Sequence, residues 1–286
     1  ASPYRIPVIG WMSDLDAMTA DDLRLWYRQW YAPNNATLVV VGDVEPQQVF
    51  ELARKHFGPL QPEQTATPKP RDEPRQEGIK RLVVKAPARE PYLVMGYKAT
   101  GITSAEQPWE PYALEMLAEI LDGGSSARFS RNLVRGSEVA TGADASYSAF
   151  SRLPGMLLVD GNPAKGRSIE ELEQALRQEL ERVKNEPVSE AELARVRNQV
   201  IAAKVYEQDS LFYQAMQIGM LETIGLDWRL AEEYVERLGE VTAEQVQAVA
   251  RKYLNDDQLT VAVLEPLPIE NAKPRRAVAG GHHAIH

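Results

Sequence analysis

The amino-acid sequence predicts an α+β protein with two homologous halves, of which the first is truncated. Three observations point to this fold class: an ungapped internal repeat, a proline-rich segment between its two occurrences, and short apolar strands that alternate with clearly capped helices. Proteins with this mixture of elements bury their apolar faces by packing helices onto a sheet. We therefore expect an antiparallel-rich sheet with helices on one face in each complete half.

The internal repeat relates residues 19–41 (TADDLRLWYRQWYAPNNATLVVV, the first copy) to residues 242–264 (TAEQVQAVARKYLNDDQLTVAVL, the second copy). The offset is 223 positions without a gap, and five of 23 aligned pairs are identical, so chance recurrence stays open as an alternative. Each copy predicts a capped amphipathic helix and an apolar strand, at 19–31 and 36–41 and at 242–254 and 259–264. We expect the two helix–strand pairs to superpose and both strands to be buried, since both are near-continuous apolar runs.

A proline-rich segment, PLQPEQTATPKPRDEPRQEGIK, divides the chain after residue 58. Proline fixes φ and disfavours helix for the preceding residue, which predicts an extended, semi-rigid linker. The expected organisation is a remnant of a first domain at 1–58, a linker at 59–79, a second domain at 80–268 and a disordered tail at 269–286. If the halves are equivalent, the first has lost on the order of 140 residues before the first copy.

The elements expected in the second domain follow from apolar periodicity and turn residues. In order, they are strands at 81–86 and 91–97, a helix at 104–121, a turn at Gly123 and Gly124, a short helix at 127–134, strands at 140–150 and 155–159, and helices at 169–185 and 189–222. Capping boxes mark four helix starts: Ser104 with Gln107, Ser168 with Glu171, Ser189 with Glu192, and Thr242 with Gln245.

The composition excludes some classes of function. With 32 basic and 41 acidic residues the net charge is -9, which argues against nucleic acid as a partner because phosphate binding needs clustered lysine and arginine. No apolar run of about 18 residues is present, so we expect no membrane span. The chain has no cysteine and therefore no thiol chemistry. We expect a periplasmic protein whose signal peptide lies upstream of this fragment, or otherwise a cytoplasmic one.

Several strings give the sequence a family resemblance. SPYRIPVIGW, DLRLWYRQWYAPNNATLVVVGDV, FELARKHFGPL and LDGGSSARFSRNLVR resemble segments of the pitrilysin-type zinc metallopeptidases, the family of insulin-degrading enzyme and the mitochondrial processing peptidase. The resemblance runs from residue 1 to about residue 266. It implies two homologous α/β-roll halves and hydrolysis of peptides in a cleft between them.

The metal site that the resemblance implies is H-x-x-E-H on a helix, with a further glutamate as ligand. This chain has four histidines, His56, His282, His283 and His286, and only His56 lies in the globular part. We assign His56 to the end of a helix, where it interacts with the helix dipole. We expect no catalytic residue and no metal ligand in this fragment; zinc belongs to the parent protein. The segment that matches the zinc helix has Glu115 and Glu119, interpreted as a solvated helix face.

A second family feature is an arginine and a tyrosine, seven residues apart, that face the metal and bind substrate. The resemblance places Val134 and Thr141 at these substrate-cleft positions, so both depart from the pattern. The leading hypothesis is the downstream part of the zinc-bearing subunit of a bacterial peptidase that acts on peptides or unfolded polypeptides with a second homologous subunit as heterodimer partner. The first alternative is a non-catalytic scaffold or partner subunit of the same fold. The second is an unrelated α+β binding module.

Overall fold

A five-stranded mixed sheet lies at the centre of the computed structural model, which describes residues 2–67, 69 and 72–269. The strands are β1 (Lys80–Pro87), β2 (Tyr92–Ala99), β3 (Ala140–Ser146), β4 (Gly155–Pro163) and β5 (Leu259–Leu267). Their order across the sheet is β1-β5-β2-β4-β3. Only the β1–β5 pair is parallel, and the other three pairs are antiparallel. The predicted α+β class with an antiparallel-rich sheet is confirmed.

Nine α-helices accompany the sheet in the described part of the chain. They are α1 (Met12–Ala17), α2 (Ala20–Trp30), α3 (Pro46–Phe57), α4 (Glu110–Asp122), α5 (Ile169–Asn185), α6 (Glu190–Glu207), α7 (Leu211–Ile224), α8 (Leu230–Gly239) and α9 (Ala243–Tyr253). Reciprocal capping boxes start α5 at Ser168 and α9 at Thr242, as predicted. Among these described helices, none has the length and apolar character needed to cross a bilayer.

The core lies between one face of the sheet and helices α4, α5 and α9. Leu93, Met95 and Tyr97 alternate along β2 and are buried against these helices, as the period of two in a strand requires. Helix α4 is the most enclosed element, because ten of its thirteen residues are buried. A helix that is apolar on nearly all sides belongs inside a domain. The site region described below is built around it.

Two predicted helix boundaries are wrong. Helix α4 begins at Glu110 rather than Ser104, because Pro108 disfavours helical dihedrals at Gln107 and the Ser104 hydroxyl hydrogen-bonds within a turn to Gly101 instead. The single helix expected at 189–222 is broken at residues 208–210. Ser210 ends the break by accepting a hydrogen bond from the Tyr213 N–H, which starts α7.

The two copies of the repeat agree in their helices and differ in their strands. Helices α2 and α9 start and end at positions related by the offset of 223, each with a reciprocal capping box. The strand expected at 36–41 is absent, and this segment has no regular secondary structure and is largely exposed, so the prediction that both strands are buried is wrong. β5 lies between β1 and β2, whereas no described strand lies beside 36–41, and a strand needs a paired neighbour.

The segment predicted as a linker forms no helix or strand in its described residues. Its first part is held by Asn34, whose side chain bonds both the backbone N–H and the carbonyl of Glu63 at 2.9 and 3.0 Å. Its last part is held by Gln76, which donates to the Leu259 carbonyl at 2.6 Å. The predicted disordered tail lies outside the described residues except for residue 269, and the predicted domain boundaries stay predictions.

Candidate functional site

The two positions assigned to the substrate cleft lie on either side of a short connection, residues 135–139, between a π-helical turn and β3. Val134 closes a π-helical turn at Ser130–Val134 and is half-buried against the core. Thr141 is exposed in β3, and its hydroxyl donates to the Asn162 carbonyl at 3.4 Å. Neither side chain provides a charge or a strong donor for an oxyanion. Their predicted location in a substrate cleft stays a prediction.

The connection itself holds one residue in the left-handed region. Glu138 has φ of 48°, an uncommon conformation for a residue other than glycine, asparagine or aspartate. Backbone bonds on both sides hold the turn in place, from the Ser137 N–H to the Asn132 carbonyl at 2.9 Å and from the Val139 N–H to the Leu133 carbonyl at 3.0 Å. The spacing between Val134 and Thr141 is therefore set by a rigid turn.

Glu115 and Glu119 lie one turn apart on α4, and both are part-buried. Burial raises the pKa of both carboxyl groups, and the nearby Lys204 ammonium acts in the opposite direction. The interpretation of this pair as a solvated helix face is wrong. The reason is tertiary packing. α6, α8 and β3 pack around α4, so two glutamates that the helix periodicity places on a polar face are partly shielded from solvent.

A cavity of about 230 Å³ opens beside Glu115. Its lining combines a carboxyl group, an ammonium group, aromatic rings and two methionines: Glu115, Lys204, Tyr147, Phe150, Tyr213, Tyr234, Met216 and Met220. Lys204 Nζ lies 5.8 Å from the centre of the Tyr234 ring and donates to Glu207 at 3.1 Å. Although burial opposes it, the hydrogen bond to Glu207 raises the pKa of Lys204. Lys204 is therefore paired with Glu207 and acts on Glu115 and Glu119 as a nearby positive charge.

The donor set beside α4 does not fit a zinc ion. Zinc in proteins is held by three or four nitrogen, sulfur or carboxylate ligands arranged around it. In the ranges that the structure describes, no group of three histidine, aspartate or glutamate side chains is arranged to hold a metal. His56 lies in the last turn of α3, as predicted, and the other three histidines lie outside the described residues. No chemical step is assigned to a metal in this chain.

A cluster of three carboxylates at the β3 edge was not found from the sequence. Asp144 on β3 lies directly opposite Asp160 on β4, and Asp160 accepts a hydrogen bond from the Tyr92 hydroxyl. Asp122, at the end of α4, accepts from the Ala145 N–H at 3.3 Å. Burial, with Asp144, Glu119 and Asp160 nearby, raises the pKa of Asp122 to about 6. No local sequence signal joins these residues, because strand pairing brings them together.

Known proteins match most of this chain. The family model described as the peptidase M16 inactive domain matches residues 17–200. A protein named zinc protease PqqE, from Helicobacter pylori, is 28% identical over 92% of this chain and 59% of its own length. The chain spans about 60% of the length of the curated relatives it matches.

Solved structures share the fold. The crystal structure of a protease from Helicobacter pylori superposes with a TM-score of 0.82 at 26% identity, covering 90% of this chain and 62% of that chain. The periplasmic protease PqqL from Escherichia coli gives a TM-score of 0.73 at 17% identity, covering 90% of this chain and 29% of that one, which is a likeness of fold alone.

Proposed function

The chain belongs to the pitrilysin-type zinc metallopeptidases, the peptidase M16 family, and carries that family's inactive domain; from this premise we propose that it is the downstream, non-zinc part of a bacterial peptidase. In this proposal the zinc site lies in the part of the parent protein that precedes this chain. The described part of this chain performs no bond cleavage. It encloses a peptide or an unfolded polypeptide against the zinc-bearing half.

The observation that carries the proposal is the set of charged side chains on and beside α4. The segment that resembles the zinc helix has glutamates in place of histidines, and the Lys204 ammonium, which is hydrogen-bonded to Glu207, lies near them. An ammonium group does not activate a water molecule as a zinc ion does, so this half is suited to structure and enclosure rather than hydrolysis.

Metal content gives the first test. The chain without its last five residues, which include His282, His283 and His286, should bind no stoichiometric zinc and cleave no peptide. A chain restored upstream should bind one equivalent, which plasma emission spectrometry of dialysed protein measures directly. One equivalent of zinc in the trimmed chain would contradict the proposal.

Peptide turnover gives the second test, on the positions assigned to the cleft. We expect the restored chain to cleave slowly alone and faster with a homologous subunit that provides an arginine and a tyrosine. The double change Val134→Arg and Thr141→Tyr should raise turnover without that subunit. Because Val134 packs against the core, a thermal melt must accompany the assay, and Thr141→Phe separates the effect of the hydroxyl from that of the ring. Full activity of the unmodified restored chain alone would remove the need for a second subunit.

A second candidate function follows from Val134 and Thr141 themselves. A subunit that lacks the arginine–tyrosine pair and also lacks H-x-x-E-H upstream would be a scaffold that encloses peptide or assembles a complex without cleaving. The parent sequence decides between the two candidates: an H-x-x-E-H motif upstream supports the peptidase, and its absence supports the scaffold.

Location is the remaining part of the proposal. We infer a periplasmic site of action, supported by the likeness of fold to a periplasmic protease. Fractionation of cells that express the whole parent protein, with a cytoplasmic marker enzyme as control, tests it. Recovery with the cytoplasmic marker would refute it.

A further inference from the structure

The cavity beside Glu115 is formed by five parts of the chain: α4, the segment between β3 and β4, α6, α7 and α8. Its inner wall includes Tyr234 and Ala149, which are each 1% exposed. Its outer wall includes Met216 and Met220 on α7, which are 47% and 39% exposed. The cavity is therefore accessible from solvent along α7, and its inner end is held by the core.

The size of the cavity limits what it accepts. Its volume is about 230 Å³, whereas sites for whole small molecules or cofactors usually have roughly 300–1,000 Å³. A space of this size, walled by side chains from several elements, suits a single side chain of a larger ligand.

The charges around the cavity leave one carboxyl group without a full counterpart. Lys204 donates to Glu207 at 3.1 Å, and within the described residues Glu115 forms no ion pair. The Tyr234 hydroxyl and the Lys204 ammonium both lower the pKa of Glu115, but burial outweighs them and the pKa is raised. A further positive charge at Glu115 would therefore be favourable.

The rest of the lining suits a cation on an aliphatic stem. The Phe150 and Tyr234 rings are 4.8 Å apart at 44° to each other, and the Tyr147 hydroxyl donates to the Thr100 carbonyl at 2.7 Å, so the rings are held in place. Aromatic rings attract cations, and Lys204 Nζ already lies 5.8 Å from the centre of the Tyr234 ring. The thioethers of two methionines provide an adaptable apolar wall for methylene groups.

We propose that this cavity binds one basic side chain, arginine or lysine, of a peptide that the chain encloses. The aliphatic stem lies along Met216 and Met220, and the cationic group bonds to Glu115. An apolar side chain would leave this carboxyl group without a partner, and an acidic one would add a third carboxylate beside Glu115 and Glu207. The peptide as ligand rests on the proposed function, but the cavity and its charge do not.

Methionine methyl groups report on the cavity, because Met216 and Met220 line it and Met156, 51% exposed on β4, does not. The 286-residue chain, labelled with ¹³C-methyl methionine, is titrated with Nα-acetyl-arginine N-methylamide or its lysine equivalent and followed by NMR. We expect shifts at both cavity methyl groups, with a dissociation constant on the order of 1 mM for a single side chain. The citrulline equivalent has the shape of arginine without its charge and should bind at least about tenfold more weakly.

Two variants of α4 locate the bound cation. Glu115→Gln removes the charge, keeps the length of the side chain and should weaken binding of the arginine derivative at least about tenfold. Glu119→Gln, one turn further along α4 and outside the lining, is the matched control and should weaken binding by no more than about threefold. The methyl signal of Met95, which is buried in the core, shows whether each variant is folded.

The unmodified chain alone decides the main point. Equal affinity for the arginine and citrulline derivatives would overturn the proposal, as would shifts at Met156 without shifts at Met216 and Met220. Unchanged binding in folded Glu115→Gln would overturn it as well. None of these results changes the zinc content or the peptide turnover expected above. Conversely, zinc in the trimmed chain would contradict the proposed function and leave the affinity for these derivatives as it is.

Discussion

The first and second copies share a local sequence pattern and a local conformation, but only the second is buried. α2 and α9 start at equivalent threonines, Thr19 and Thr242, and each ends eleven residues later. A short 3-10 turn follows each helix, at Pro33–Asn35 and Asp256–Gln258. Local signals such as an N-cap therefore fix a helix with or without a core around it.

Burial separates the copies. Leu23 and Trp26 in the first are each 55% exposed, whereas Val246 and Val249, their equivalents in the second, are 0% and 1% exposed. The second copy is covered by α4, α5 and the strands beside β5. An amphipathic pattern identifies the apolar face of a helix, but that face is buried only when the rest of a domain packs against it.

The largest expected difference between the copies comes from a charge placed on the apolar face. Val249→Asp should abolish the cooperative unfolding transition, since an unpaired buried carboxylate costs several of the roughly 5–15 kcal/mol that hold a domain together. The equivalent change, Trp26→Asp, should alter stability by less than about 0.5 kcal/mol. Thermal melts followed by circular dichroism measure both. Equal effects would mean that the first copy is also buried in solution.

Restoring the chain upstream sharpens the same comparison. If a first half then covers α2, Trp26→Asp should become as damaging as Val249→Asp. A tryptophan variant that stays harmless in the restored chain would show that the first copy keeps an open face.

A smaller difference is expected from the ion pair that fixes α9 to α4. Glu110 is buried and accepts from Lys252 Nζ at 2.6 Å and from the Tyr253 hydroxyl at 2.8 Å. Lys252→Met should destabilise the chain by about 2 kcal/mol, because it removes a charge-assisted bond to a buried carboxylate. Gln29→Met, which introduces methionine at the aligned position of the first copy, is the control and should leave the free energy of unfolding in urea unchanged. A neutral Lys252→Met would mean that Tyr253 alone satisfies Glu110.

Removal of the N-cap threonine should lower the free energy of unfolding by about 1 kcal/mol more in the second copy than in the first. Thr242→Ala removes the cap of a helix that packs in the core and should lower the free energy of unfolding by that amount. Thr19→Ala should leave the unfolding midpoint unchanged and lower only the helix signal. If both variants shift the unfolding midpoint, the stability of α2 is coupled to that of the core.

The smallest expected effect is a difference in local pH dependence between the N-termini of α2 and α9. Hydrogen bonds from the Thr19 side chain and N–H lower the pKa of Asp22. A lowered pKa stabilises the capped helix above the ordinary carboxyl pKa, and this contribution is lost as the pH falls through the lowered value. In the second copy, Gln245 takes the place of this carboxylate and does not titrate, but hydrogen bonds from its own backbone N–H and from the Thr242 side chain lower the pKa of Glu244 in the same turn. Amide hydrogen exchange between pH 2.5 and 6 should show α2 opening at acid pH more than α9, which the core also holds.

Sequence patterns predict the helices of both copies and the family, but they miss whatever depends on distant neighbours. The capping box at Thr242 and the apolar run of β5 are local, so their positions follow from composition and spacing. The burial of Glu115 and its proximity to Lys204 depend on how α4 and α6 pack. The unpaired segment 36–41 has the same apolar pattern as β5, and only the absence of a described neighbouring strand distinguishes it.

The position of β5 has a consequence for how the chain is made. Of the described strands, β5 is the last to leave the ribosome, yet it lies between β1 and β2 and hydrogen-bonds to both. Until Leu259–Leu267 has emerged, β1 lacks the one described strand that it pairs with. Pairing strands so distant in sequence is slow, because a long loop must close before any contact stabilises it. We therefore expect residues 80–258 to expose apolar surface until β5 has been synthesised, which is the kind of nascent chain on which chaperones act.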